Sequence, residues 1–301
     1  MADKPVSIAV SVWIGYEPIL LARSKGWLDE RQVHLVEVAS ATDCLKLLAE
    51  GKVDGAALTL DEALIGRARG IPLSIVMIFD VSTGADMLIA RLGIKQLNDL
   101  KGRRIGYEPG AVGALMLDQV LRAAGLKKED VKLVALAIDK QHDAWTHDKV
   151  DAAINYEPVA SQLLASGGHK LFDSRQIPNT ILDVLAIRGE ILDHPHASAI
   201  RQLISAHFRA IGHLNRNPQD AAYRMATHLG LSPANVLSAF KGLVLPDAVN
   251  NYRLMTGPSP ELLRTARKLS EIMVKNELLK QDDTMISLIR ADFLPTDFQA
   301  N

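Results

Sequence analysis

One unit of about forty residues is written twice in this chain, and that repeat restricts the fold more than any single motif. In the first copy an apolar run over residues 8–14 ends in Gly15-Tyr16-Glu17-Pro18, and a helix follows to about Ser24. Gly26 stops it, residues 33–38 form a strand, residues 43–50 a helix, and the unit closes on Lys52-Val53-Asp54-Gly55-Ala56-Ala57. In the second copy residues 103–107 form a short strand ending in Gly106-Tyr107-Glu108-Pro109-Gly110-Ala111-Val112-Gly113. A helix over residues 115–124 is stopped by Gly125, residues 131–136 form a strand, residues 143–148 are helical, and Lys149-Val150-Asp151-Ala152-Ala153 closes the unit. Tyr16 to Asp54 spans 38 residues and Tyr107 to Asp151 spans 44, one unit with a loop insertion. The order strand–helix–strand–helix–strand implies parallel pairing through right-handed crossovers. Two such units imply two α/β lobes facing each other across a cleft.

The remaining segments divide between those lobes. Residues 73–79 are a nearly continuous apolar strand ending at Asp80-Val81-Ser82, and residues 85–90 a further strand where the chain leaves the first lobe. Residues 171–174 and 178–179 read as loop, and residues 181–187, with Asp183 among them, as the return strand. The expected architecture is two doubly wound α/β lobes joined by crossing strands, with a helical C-terminal segment packed on the first. Residues 1–90 and 184–301 form the first lobe and 91–183 the second, with hinges at residues 85–90 and 183–187. After residue 196 the spacing is helical: Ile200, Leu203, Ile204, Phe208, Ile211 and Leu214 share a face, and Ser232-Pro233 and Ser259-Pro260 start helices.

Bulk properties narrow the partners. A formal net charge of −1 gives no electrostatic case for nucleic acid or an anionic membrane. Cys44 is alone and sits on an apolar helical face, so neither a disulfide framework nor a cysteine metal site is expected. No apolar run has the length of a membrane span. The zincin, nucleophile-elbow and phosphate-loop patterns are missing, and Gly106, Gly110 and Gly113 lack dinucleotide-binding spacing. His142 and His147 are five apart rather than four, and the His194-Pro195-His196 loop has no carboxylates around it. No catalytic set, metal site or cofactor is expected.

Open α/β sheets bind ligands beyond the carboxyl ends of their strands, where helix N-termini present N–H groups. At those ends stand Trp13, Tyr16, Glu17, Ser40, Thr42, Thr59, Asp61, Asp80, Ser82, Tyr107, Glu108, Tyr156, Glu157 and Asp183, which are the candidate ligand residues. Each hydroxyl or carboxylate among them has a second reading as a helix cap. Together they would make an acidic, aromatic-lined cleft suited to a cation or a ligand rich in N–H donors.

Gly15-Tyr16-Glu17-Pro18, Gly26-Trp27-Leu28, residues 47–56, residues 97–106 and Lys149-Val150-Asp151-Ala152-Ala153 together resemble periplasmic solute-binding proteins of ABC transporters. Within these the resemblance is to the nitrate/sulfonate/taurine and thiamine-pyrimidine group. It implies the type II periplasmic-binding fold, a small-molecule ligand, a permease partner, a monomer and a periplasmic location. Met1-Ala2-Asp3-Lys4-Pro5 runs straight into the first strand, so a signal segment is taken as absent from the sequence as it stands. Oxoanion-binding members usually carry Ser or Thr at the second-lobe helix start; Gly110-Ala111-Val112-Gly113 has no hydroxyl and follows Glu108, which favours a donor-rich ligand with Glu108 as its second-lobe anchor. The alternatives are a sulfonate, taurine or nitrate binder, or an enzyme of pyrimidine or menaquinone-pathway type on the same fold.

Overall fold

The computed structural model describes residues 5–193 and 195–296; His194 lies outside them. In chain order the elements of the first half are β1 (Val6–Ser11), α1 (Glu17–Ser24), β2 (Val33–Val38), α2 (Ala41–Ala49), β3 (Gly55–Thr59), α3 (Leu60–Ala68), β4 (Leu73–Ser82) and β5 (Met87–Arg91). Then come β6 (Arg104–Tyr107), α4 (Val112–Ala124), β7 (Lys132–Ala135), α5 (Ile138–Thr146), β8 (Ala152–Asn155), α6 (Val159–Ala165), β9 (Gly168–Asp173) and β10 (Leu182–Arg188). The C-terminal part holds α7 (Ala197–Arg216), α8 (Pro218–Leu229), α9 (Pro233–Phe240), β11 (Leu243–Val244), α10 (Ala248–Met255) and α11 (Glu261–Lys275).

Two sheets result, ordered β11-β4-β10-β3-β1-β2 and β7-β6-β8-β5-β9. β1 pairs in parallel with β2 and β3, and β6 in parallel with β7 and β8, so the repeated units have the same topology. The repeat runs further than its sequence signature, through α3–β4 in one copy and α6–β9 in the other. Each sheet also takes an antiparallel strand from across the junction: β10 lies between β3 and β4, and β5 between β8 and β9. The segments expected as hinges are therefore strands inside the sheets, and the connections are residues 83–86 and 174–181. They are tied together by buried hydroxyls, with Ser82 Oγ and Ser174 Oγ 2.8 Å apart and Gly84 N donating to Ser174 Oγ at 2.6 Å.

The repeated Lys-Val-Asp has a structural cause. Asp54 Oδ2 accepts from Ser7 N at 2.8 Å, and Asp151 Oδ2 accepts from Arg104 N at 2.8 Å. Each aspartate satisfies an N–H at the start of the middle strand of its parallel unit, β1 between β2 and β3 and β6 between β7 and β8. Residues 171–173, which read as loop in the sequence, are instead the end of β9, where pairing with β5 overrides a weak local preference. The C-terminal helices pack on the first sheet's layer, α7 and α8 on α1, α10 on β4 and α11 on α3.

Asn251 of α10 completes the outer edge of β4. Fully buried, it accepts from Ile78 N at 2.7 Å and donates to Ile78 O at 2.9 Å, taking the place of a neighbouring strand beyond the short β11. Asn251→Ala leaves two buried backbone groups unsatisfied, at about 1–3 kcal/mol each. Denaturant unfolding of that variant is expected to show a loss of about 2–4 kcal/mol at unchanged slope; a loss below about 0.5 kcal/mol would contradict the role given to Asn251.

Candidate functional site

The carboxyl ends of β1, β3, β6 and β8 meet where the two sheets face each other, and the cleft between them is nearly shut. A cavity of about 20 Å³, room for one water, lies among Ser11, Trp13, Tyr16, Ala41, Thr59, Glu62, Asp86, Val112, Tyr156 and Asp183. A second of about 10 Å³ adjoins it, with Glu108 and Gln141 in its wall. Among the described residues, no lysine, arginine or histidine lines either. A larger open groove of about 1150 Å³ lies on the outer side of the first lobe, between α3, the start of β4 and residues 278–287, and touches none of the candidate residues.

The floor is a hydrogen-bonded set of aromatics and aspartates. Asp80 and Asp183 are register partners in the β4–β10 pair. Trp13 Nε1 donates to Asp80 Oδ2 at 3.0 Å, and the Tyr16 hydroxyl donates to Asp183 Oδ1. Asp80 Oδ1, Asp183 Oδ2 and Asp86 Oδ2 are buried without a hydrogen-bond partner. Gly15 is required for this arrangement: a Cβ there would lie 1.8 Å from Asp80 Oδ2 and 2.5 Å from Trp13 Nε1. Tyr156 closes the cleft from the second lobe, its ring edge-on to Trp13 at 5.1 Å.

Burial governs the protonation of these groups. It pushes Asp80 and Asp86 up to about 7, opposed by the Trp13 and Ser82 hydrogen bonds respectively. Glu62 rises to about 8 through burial and the neighbouring charge of Asp61, itself raised to about 6 by burial. Asp183 is pushed well up by burial and then by the charge of Asp80. Desolvation and proximity to Asp183 likewise hold the Tyr16 hydroxyl protonated.

Of the fourteen candidates, Trp13, Tyr16, Thr59, Tyr156 and Asp183 line the cavity, and Asp80 stands behind Trp13. Asp61 is buried in the first turn of α3, and neither of its oxygens has a partner. The others are taken up by other partners or line neither wall of this cavity. Ser40 caps α2, accepting from Asp43 N at 3.2 Å. Ser82 belongs to the junction between the sheets, and Tyr107, half-buried at the end of β6, lines neither cavity. Glu157 caps α6 through Ser161 N at 3.1 Å and Ser161 Oγ at 2.9 Å. Glu17 turns away from the cleft to His228 of α8, with Glu17 Oε1 2.6 Å from Nδ1. Glu108, expected as a free ligand anchor, has both oxygens occupied: Oε1 accepts from Thr42 N and the Thr42 hydroxyl, and Oε2 from Ile138 N at 3.3 Å.

Glu62, Asp86 and Gln141 join the cavity walls without standing among the fourteen sequence candidates. Glu62 was hidden in a Thr-x-x-Glu helix-start pattern, and it does accept from Thr59 N at 2.9 Å. Its other oxygen crosses the cleft. Asp86 could have been found as the lone charge in an apolar strand-like run. Gln141 gave no signal, though its side-chain amide is buried with neither atom partnered.

The chain matches the family model described as NMT1/THI5 like over residues 13–221. It is 28% identical over 180 residues to a 4-amino-5-hydroxymethyl-2-methylpyrimidine phosphate synthase of Saccharomyces cerevisiae, an alignment covering 57% of this chain and 52% of that one. The chain thus spans about half the length of the curated relatives it matches first. The alkanesulfonate-binding protein SsuA from Xanthomonas axonopodis pv. citri, solved bound to MOPS, superposes with a TM-score of 0.79 at 18% identity, covering 96% of this chain and 99% of that one. The periplasmic aliphatic sulphonate binding protein SsuA from Escherichia coli superposes at 0.77 with 18% identity, over 96% and 92%. The fold is the one these binding proteins share.

His228 also sits 2.8 Å from Glu37 Oε2, and its hydrogen bond to Glu17 raises it to about 8 against its partial burial. Burial pushes Glu17 up despite His228, so the net contribution is smaller than the histidine's shift alone implies. Because His228 is raised in the folded state, the stability it contributes is fully present below pH 6.5 and is lost as pH rises through about 8. His228→Gln should be less stable than wild type by about 1 kcal/mol at pH 6, a figure discounted for solvent screening, with the gap closing above pH about 8.5. Urea unfolding across that range checks it; a constant gap would rule out the ionic role.

Proposed function

The chain belongs to the NMT1/THI5-like family, and from that premise we propose that it is a solute-binding protein which closes two lobes on a small cationic or N–H-donor-rich molecule and hands it to an ABC-transporter permease. The observation that carries the ligand class is the lining of the cleft. Glu62, Asp86 and Asp183 face one cavity and Glu108 the next, with no basic side chain beside them. Buried charges need a partner, and here the chain supplies none beyond N–H and O–H donors. An ammonium, an amidine-like edge or an aminated heterocycle would supply both charge and donors, between the walls of Trp13, Tyr16 and Tyr156. The transport role draws on the two-sheet fold shared with the sulfonate-binding proteins and on the paired connections at residues 83–86 and 174–181, which suit rotation of one lobe against the other. A periplasmic location follows from the same resemblance.

A second reading, an enzyme on this fold, is favoured by the match to the yeast synthase. Cys44 offers it no nucleophile, since burial pushes the thiol up and keeps it protonated. Mass spectrometry of the bound molecule after incubation separates the two: a binding protein returns it intact, an enzyme returns it altered.

Calorimetry against a panel of primary amines, aminopyrimidines and methanesulfonate tests the proposal, and a tightest binder without a nitrogen donor would overturn it. Affinity for a cationic member should rise between pH 6 and 8, because Asp80, Asp86 and Glu62 shed their protons over that interval and only the carboxylate forms attract the cation. Asp183→Asn keeps an acceptor for the Tyr16 hydroxyl but cannot ionise to meet a cation, and should weaken that binding by about 1.5–3 kcal/mol; unchanged affinity would remove Asp183 from the site.

A further inference from the structure

Two glutamates at the cleft, between them, engage backbone N–H groups at the starts of four helices, α2, α3, α4 and α5. Glu62 of α3 accepts from Thr59 N at the start of its own helix at 2.9 Å, and from Val112 N at the start of α4 in the opposite lobe at 3.0 Å. Glu108, at the end of β6, does the reverse. It accepts from Ile138 N, the start of α5 in its own lobe, at 3.3 Å, and from Thr42 N, in the first turn of α2 across the cleft, at 3.2 Å, with the Thr42 hydroxyl adding a further bond. Both side chains are buried. The backbone holds Glu108 in place, because the turn after it folds so closely over the start of α4 that a Cβ on Gly113 would meet Glu108 N at 2.8 Å.

We propose that Glu62 and Glu108 are a reciprocal cross-lobe latch that also sets the ligand class, each filling with its own carboxylate a helix N-terminus that would otherwise hold an oxoanion. This rests on the solute-binding reading above. Helix N-termini attract anions because their leading N–H groups are unpaired and the helix dipole adds positive potential. In this chain the N–H groups of Val112 and Thr42 are already matched, so an incoming sulfonate or phosphate would find those donors taken and acceptor oxygens in its place. Donors and acceptors of the latch both belong to the chain, so these contacts form whenever the lobes meet and contribute to closure whatever the cargo is. Selection of the cargo then falls to the unpartnered oxygens of Asp80, Asp86 and Asp183, which accept donors and offer an anion nothing.

The test compares wild type with Glu62→Ala/Glu108→Ala, using small-angle scattering without added solute and calorimetry with methanesulfonate, an anion without nitrogen, as the probe. The double variant is expected to have a larger radius of gyration than wild type and to bind methanesulfonate about tenfold tighter or more. An equal radius of gyration, or methanesulfonate binding no tighter than in wild type, overturns the latch. If the double variant does not fold, Glu62→Gln serves at about pH 9, above the value of about 8 to which burial lifts Glu62: it keeps an acceptor for Val112 N while removing the charge, and methanesulfonate binding must again gain about tenfold, with no gain overturning the proposal. The amine panel on wild type judges the solute-binding reading separately. Failure there alongside a methanesulfonate gain in the variants leaves the latch standing, and success there with no gain sinks the latch alone.

Discussion

Carboxylates buried between two sheets, with no basic side chain among the described residues of the cavity walls to meet them, are the constraint around which the cleft is arranged. An ionised carboxylate out of water is costly unless it is paired or hydrogen-bonded. The chain answers with donors that carry no charge: the Trp13 indole for Asp80, the Tyr16 hydroxyl for Asp183, and backbone N–H groups at helix starts for Glu62 and Glu108. What these donors leave over is offset by protonation, which is why burial lifts Asp80, Asp86 and Glu62 into the neutral range. Such a site is poised: a ligand cation and a proton compete for the same oxygens.

The doubled unit brings these groups together. Each copy supplies a central parallel strand pinned by its aspartate, Asp54 or Asp151, and each turns its helix starts toward the same space. The exchange of β5 and β10 between sheets sets that space at the junction. The Ser82–Ser174 contact then joins both connections at one point.

Most of this was legible in the sequence, because the signals were periodic and local. Apolar runs marked β1 to β8 and β10, glycines marked helix ends, and the two Lys-Val-Asp motifs disclosed the repeat. Long-range pairing was not legible: β9 becomes a strand only because β5 lies beside it. The site was legible in kind and misplaced in detail. Tyr-Glu-Pro occurs three times, yet Glu17 faces His228, Glu108 bridges the lobes and Glu157 caps α6. A glutamate after a strand is drawn to whichever N–H groups are closest in space, and nothing in the tripeptide says which those are. Glu62 was missed for the converse reason, since its capping pattern is local and its second contact, to Val112, is not.

Native mass spectrometry of the protein as purified tests the central claim most directly, because it asks the cleft what it has chosen. The account predicts a bound small molecule bearing amine or aminated-ring nitrogen, released as pH falls below about 6 when the cleft aspartates take up protons. A bound sulfonate, nitrate or other oxoanion without a nitrogen donor, retained at that pH, would contradict it.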